Sequence, residues 1–252
     1  MEMATCMNLF RILLVGFLFS WFGLICLIGN LFFIPINFLR LNEVNYFKNF
    51  SRDLVHCAWK FFIFCTEILG YLRYEFTDFN QLGEKSQIII CNHPSLLDVV
   101  LLLSKVRRVN CVVKAELSKN VFLYPAIKAC GYILNTKNEE LLHKSLEVLK
   151  KEESLLIFPE GTRTKEKIIF HKAPFYLAIH SAKWLTPVFI QMDPKTLQKG
   201  VKWYHTPKNK VNYKIYVGNS IKIDEYSTQN TNPIRVRSLH KEMMQIYHEE
   251  IQ

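Results

Sequence analysis

Between Arg11 and Arg40 the chain carries no charged side chain. The uncharged run, Ile12–Leu39, is 28 residues rich in Leu, Phe and Ile, with Trp21 available for a membrane–water boundary. As a helix, about 20 such residues are enough to cross a hydrocarbon core. A secretory signal is the rival reading, but the run is long for its apolar region and no small-x-small cleavage site stands out after it. The run therefore predicts a membrane element. Asn30 and Pro35 interrupt its far end. The helix is expected to stop short there or to turn back within the interface, and spanning and embedded geometries both fit.

A second hydrophobic stretch covers residues 49–72. Its polar members Asn49, Asp53, His56, Lys60 and Glu67 fall on one narrow helical face, and Trp59, Phe61, Phe62, Phe64 and Ile68 occupy the rest. Such a helix lies in a membrane interface or beneath another apolar element, with an ordinary core helix as the alternative. His56 reads as a polar-face residue. Residues 1–72 are thus expected to form an N-terminal membrane-anchoring helical pair, with residues 73–252 as a separate domain.

The formal charge is +10, from 32 Lys and Arg against 22 Asp and Glu. Such a surface draws polyanions, and the apolar front favours anionic lipid over nucleic acid. The seven cysteines are odd in number and include no Cys-x2-Cys pair. Most lie in apolar runs, where the thiol acts as a small hydrophobe. No disulfide framework or metal site is expected, and a reducing compartment fits.

After Arg73 short apolar strands alternate with helices. Strands are predicted at Gln87–Cys91, Cys111–Lys114, Gly131–Leu134 and Leu155–Phe158, then near Pro187–Gln191 and Tyr213–Val217. Helices are predicted at Ser95–Ser104, Val121–Ala129, Glu139–Lys151, Pro174–Ala182 and Pro233–Glu250, the last capped by Asn232. The alternation predicts an α/β fold, a mixed sheet flanked by helices.

Two polar clusters follow two of these strands: Asn92-His93-Pro94-Ser95-Leu96-Leu97-Asp98 and Phe158-Pro159-Glu160-Gly161-Thr162-Arg163. Open α/β sheets place their chemistry at such strand ends. Neutral imidazole is a base suited to neutral pH, and Asp98, five residues on, is placed to fix its tautomer. Free amide donors at the helix start offer a place for a developing oxyanion. Gly161 permits a tight turn, and Arg163 suits bidentate phosphate binding. Glu160 is a candidate to orient a hydroxyl or to hold the arginine. The plain alternatives are a helix-capping histidine and a structural Glu–Arg pair.

His-x4-Asp followed by Phe-Pro-Glu-Gly-Thr-Arg resembles the 1-acylglycerol-3-phosphate acyltransferase family of glycerolipid acyltransferases, over roughly residues 75–220. The resemblance implies His93 as general base and Asp98 as its partner, with no covalent acyl-enzyme. It implies an acceptor-binding set of Asn92, Lys137, Glu160, Gly161, Thr162 and Arg163. Lys137 stands where the family usually carries arginine, six residues after Gly131, which leaves other lysophospholipids or a lyso-ornithine lipid open as acceptors beside lysophosphatidic acid. Lys114 and the His171–Pro174 segment also fall at positions resembling family segments near the pocket. The implied co-substrate is an acyl thioester, acyl-CoA or acyl carrier protein, with no other cofactor. The implied setting is an anionic membrane surface, with the catalytic domain on the cytoplasmic face. A non-catalytic lipid-binding protein is the main alternative. A serine hydrolase is disfavoured because no Gly-x-Ser-x-Gly occurs. From Lys195 to Lys214 six lysines and no acidic residue are interleaved with Trp203 and Tyr204. That pattern fits a lipid-facing edge, a solvated loop or a nucleic-acid binder, although no nucleic-acid motif accompanies it.

Overall fold

A computed structural model describes residues 2–136, 138–226, 229 and 231–251, without the side chains of residues 2–8 and Asn138. The apolar front forms two helices, α1 (Glu2–Phe38) and α2 (Asn45–Ile68). Then come β1 (Leu72–Thr77), β2 (Gln87–Cys91), α3 (Asp98–Lys105), β3 (Asn110–Lys114), α4 (Tyr124–Ala129) and β4 (Ile133–Asn135). They are followed by α5 (Asn138–Lys150), β5 (Leu155–Ile157), α6 (Ala173–Ser181), β6 (Trp184–Asp193), β7 (Val211–Val217), β8 (Ile221–Lys222) and α7 (Asn232–Ile251). The strands order as β1-β7-β6-β2-β5-β3-β4, with β8 beside β6. Only the pairings of β6 with β7 and with β8 are antiparallel. The sheet is therefore mixed, as predicted.

The pleat sends alternate side chains to opposite faces, and both faces are covered. Ile89 and Cys91 of β2 pack with Leu156, Val188 and the helices α1–α3. Ile88 and Ile90 pack with Leu155, Ile157 and the helices α5–α7. All five residues of β2 are buried, which fits a strand in the middle of the sheet. β1 was not anticipated. It is an edge strand with only Leu72 buried, and its polar-rich sequence carries little strand signal.

α1 does not stop at Asn30 or Pro35, as the sequence suggested it would; it continues to Phe38 and ends where Arg40 turns left-handed (φ 56). Asn30 is satisfied from outside the helix, its Nδ2 donating to the carbonyls of Val121 and Phe122 at 3.3 and 3.2 Å. Asn37 Nδ2 likewise donates to Pro125 O at 2.8 Å. Pro35 falls in the final turns, where one missing donor disturbs little. Near the other end Arg11 is buried and donates to the carbonyls of Gly70, Pro207 and Asn209. At about 1.5 Å per residue, these anchors hold α1 to the body over about 39 Å. Its remaining face is apolar and exposed, with Leu13, Phe17, Leu24, Leu31 and Phe38 outward. By length and composition, Leu9–Phe38 is able to cross a membrane.

α2 buries Val55, Trp59, Phe62 and Ile63, stacking Trp59 on Phe22 of α1 at 4.8 Å between ring centres. Phe61, Phe64 and Ile68 remain exposed. Two residues on the expected polar face engage the chain around α3. His56 Nδ1 lies 3.0 Å from Leu103 O, and Asp53 bridges Arg107 and Arg108, both at 2.7 Å.

The two guanidinium groups hold the Asp53 carboxyl at about 2, below its ordinary 3.8. A depressed carboxylate stabilises the fold above the unfolded value, and that stability is lost as pH falls from about 4 towards 2. The arginines are exposed, so solvent screens the pair. Asp53→Asn is expected to lower the Tm by about 2–4 °C at pH 7 and by much less at pH 2.5, read by thermal denaturation in detergent.

Candidate functional site

β2 and β5 are parallel neighbours, with Ile90 opposite Ile157. Their carboxyl ends therefore release the two polar clusters side by side. The loops are stitched together. Thr164 N–H donates to His93 O at 2.7 Å, and His93 N–H donates to Glu160 Oε1 at 2.9 Å. Thr164 Oγ1 donates to the same Glu160 oxygen at 2.7 Å. Glu160 thus clasps the histidine loop instead of pairing with Arg163.

His93 Nδ1 lies 2.7 Å from Asp98 Oδ2. The same oxygen accepts the Ser95 N–H at 2.7 Å. An ionised carboxylate only accepts, so Nδ1–H donates to Asp98 and Nε2 is the ring nitrogen left for another partner. Among the described residues nothing hydrogen-bonds Nε2. The Phe158 ring packs on the imidazole at 4.4 Å between centres and fixes its other side. α3 begins at Asp98, not at the predicted Ser95, because Ser95–Leu97 form a turn closed by the Asp98 carboxylate. The three amides of the predicted helix start are engaged. Ser95 N–H goes to Asp98, Leu96 N–H to Leu197 O, and Leu97 N–H to Ser95 Oγ.

Burial raises the Asp98 carboxyl above its ordinary range, while the bonds from His93 and Ser95 and the charge of Arg163 pull it down. Burial raises Glu160 as well, opposed by Thr164 and His93. Arg163 Nη1 donates to the carbonyls of Leu197 and Gln198 at 2.7 and 3.1 Å. Gly161 has φ +64, a conformation that favours glycine, and a Cβ there would lie 3.5 Å from the His171 ring. His171 therefore does flank the loop.

Asn92 sits elsewhere in the arrangement. It is buried, its Nδ2 donates to Ile190 O at 2.9 Å, and its Oδ1 accepts the Ile190 N–H at 2.8 Å. Both polar ends serve β6, and the side chain holds the histidine loop to the sheet. Thr162 Oγ1 is buried with no partner among the described residues. Lys137 lies outside the described residues. Thr164, the packing of Phe158 on His93 and the carbonyls of Leu197 and Gln198 were not anticipated. Thr164 directly follows the second cluster, but a backbone carbonyl leaves no trace in residue type.

His93 and Arg163 both line a cavity of about 570 Å³. Lys114 lines it too, adding a second cation. The rest is largely apolar and draws on both sides of the chain: Val15 and Phe22 of α1, Trp59 and Phe62 of α2, Leu103 of α3 and Val113 of β3. A histidine, two cations and apolar walls thus share one cavity. The arrangement suits a reaction on a molecule with an anionic head and a hydrocarbon body.

The chain is similar to several known proteins. A family model described as Acyltransferase matches residues 73–191. A Saccharomyces cerevisiae protein named 1-acyl-sn-glycerol-3-phosphate acyltransferase is 34% identical over 121 residues, 43% of this chain and 40% of that protein. The match thus spans less than half of the yeast protein's length. The Caenorhabditis elegans protein acl-1, whose name carries the same activity, is 30% identical over 194 residues, 69% of this chain and 68% of that one. The crystal structure of the 1-acyl-sn-glycerophosphate (LPA) acyltransferase PlsC from Thermotoga maritima superposes with a TM-score of 0.68 at 19% identity. It covers 94% of this chain and 96% of that one, and shows the fold.

The Asn92 clasp makes a prediction about stability. Asn92→Ala leaves the buried Ile190 N–H and C=O unpaired, at a cost of about 1–3 kcal/mol. Urea denaturation is expected to show a lower midpoint at unchanged slope.

Proposed function

Because the chain belongs to the acyltransferase family that includes the 1-acyl-sn-glycerol-3-phosphate acyltransferases, we propose that it moves a fatty acyl group from an acyl thioester to the free hydroxyl of lysophosphatidic acid, giving phosphatidic acid. The observation that supports the reading is His93, with Nδ1 2.7 Å from Asp98 Oδ2, lining one cavity with Arg163.

Nε2 takes the proton from the lysophospholipid hydroxyl as its oxygen attacks the thioester carbonyl. Asp98 stabilises the imidazolium that forms. Collapse of the tetrahedral adduct breaks the carbon–sulfur bond, and the imidazolium returns its proton to the departing thiolate. No side chain is acylated. The amides of Ser95, Leu96 and Leu97 are already engaged, so stabilisation of the oxyanion falls to other donors. Lys114 and Arg163 supply positive charge for the acceptor's phosphate, and Arg163 keeps guanidinium nitrogens beyond the one bound to Leu197 and Gln198. The apolar chamber suits the acyl chain. The exposed apolar faces of α1 and α2 suit burial in a bilayer. α1 is anchored to the body from Arg11 to Asn37, which favours a helix embedded along one leaflet over one that crosses it. Placement of the site on the cytoplasmic face, where acyl-CoA and acyl carrier protein are found, belongs to the same proposal.

The purified full chain, given labelled acyl-CoA or acyl carrier protein and a panel of lyso-lipids, is expected to favour lysophosphatidic acid. His93→Ala is expected to lower kcat by about 10²–10⁴ while thioester binding persists. Unchanged turnover would remove the histidine from the mechanism, and a clear preference for another lyso-lipid would reassign the acceptor. Arg163→Met is expected to raise the KM for lysophosphatidic acid by at least about tenfold, the loss of a charge-assisted contact.

A further inference from the structure

The lysine-rich segment after β6 is left unexplained by the acyl-transfer chemistry. Lys195, Lys199, Lys202, Lys208 and Lys210 are all exposed, and none makes an ion pair among the described residues. No acidic residue lies between Asp193 and Asp224. An unopposed cluster of this kind is a standing attraction for anions.

Its fixation is unusual for a surface loop. Arg11 of α1 donates to the carbonyls of Pro207 and Asn209. The Trp203 indole lies over Gly16, 3.6 Å from the position a Cβ would take, and edge-on to Phe19. Tyr71 OH meets Thr196 Oγ1 at 3.1 Å in the buried interior. At Leu197 the backbone is left-handed (φ 48), a conformation costing an L-residue about 1 kcal/mol or more. There the carbonyl accepts both Arg163 Nη1 and the Leu96 N–H. One segment is thus pinned at one end to the apolar helix and at the other to the arginine that lines the cavity. It presents its lysines, with Trp203 and Tyr204 half out of the protein, beside the apolar surface of α1.

We propose that the Lys195–Lys210 segment is a docking surface for anionic lipid headgroups, and that its seating on the bilayer holds Arg163 in place for the acceptor. Exposed lysines interleaved with half-exposed Trp203 and Tyr204 match the composition of a membrane interface. A polynucleotide would meet the same charge, but the adjoining apolar face of α1 favours lipid. The docking surface stands on geometry alone. Its effect on Arg163 rests on the acyltransferase reading.

The test has two arms. The full chain in neutral dodecyl maltoside micelles is titrated with dansyl-labelled phosphatidylglycerol or dansyl-labelled phosphatidylcholine, with energy transfer from tryptophan as the readout. Half-maximal transfer is expected at an at least about tenfold lower mole fraction of phosphatidylglycerol. That preference should vanish in K199Q/K202Q/K208Q/K210Q and shrink in 0.5 M salt. Equal titrations in the wild type, a preference surviving the four substitutions, or stronger competition by a polyribonucleotide than by phosphatidylglycerol overturns the docking surface. In the second arm, turnover of lysophosphatidic acid at fixed mole fraction is compared in phosphatidylcholine and phosphatidylglycerol vesicles. The wild type is expected to show a several-fold lower KM in phosphatidylglycerol at similar kcat, and the variant one KM in both. A wild-type KM blind to the carrier lipid overturns the link to Arg163. Absence of turnover in every vesicle, with the transfer preference intact, instead overturns the acyltransferase reading and leaves the docking surface standing.

Discussion

The carboxylate of Glu160 is the knot that makes one site out of two loops. A single oxygen accepts the His93 N–H and the Thr164 hydroxyl, while the Thr164 N–H returns to the His93 carbonyl. Two chain segments separated by more than sixty residues are thereby held in one register. A buried carboxylate is costly to desolvate, and burial does raise this one. The cost is offset because the group accepts two donors that would otherwise be buried and unpaired themselves. The glutamate therefore contributes to the chemistry through the backbone it holds. It sets where the imidazole begins, and Asp98 and Phe158 then set where it points.

The sheet order explains why so few contacts suffice. β2 sits between β5 and β6, and each neighbour supports the histidine loop. β5 delivers the Glu160 turn, and β6 offers Ile190 to the Asn92 side chain. Both pairings are parallel, so the strands end on the same edge of the sheet and the loops need no long excursion to meet. Aliphatic residues on both faces of β2 keep that edge rigid. The site is polar chemistry mounted on the least deformable part of the fold.

Much of this was legible in the residues. The β2 span was predicted to the residue, and the pairing of His93 with Asp98 followed from spacing and strand-end logic. The errors have physical causes. The start of α3 slipped because Ser95, a good helix starter by type, is instead held in a turn by the aspartate it precedes. That same bond occupies the Ser95 amide, while Leu197 O and Ser95 Oγ take those of Leu96 and Leu97. Asn30 and Pro35 looked like breakers of α1, but the amide is satisfied by carbonyls some ninety residues away, which no local pattern reveals. Arg163 was expected to face Glu160 or a ligand, yet one nitrogen is taken by the carbonyls of Leu197 and Gln198. Side-chain partners leave compositional traces, whereas backbone partners supplied by a distant loop do not.

The chamber behind His93 carries the argument to the apolar front of the chain. Its walls come from α1 and α2 as much as from α3 and β3, and these elements share one hydrophobic cluster with the sheet. A hydrocarbon tail leaving a bilayer loses nothing by entering such a chamber, because both surroundings are apolar. Crossing water would instead cost about 0.8 kcal/mol per methylene. On the proposed reading, the helices that give the chain its hydrophobic surface also line the chamber that takes the tail. Position in the membrane and access to the reacting atom become one geometric condition. If the hydroxyl is activated at His93 as proposed, a rigid anchor for α1, from Arg11 to Asn37, serves the site better than a flexible tether, since a gap opened along the helix would admit water to the chamber.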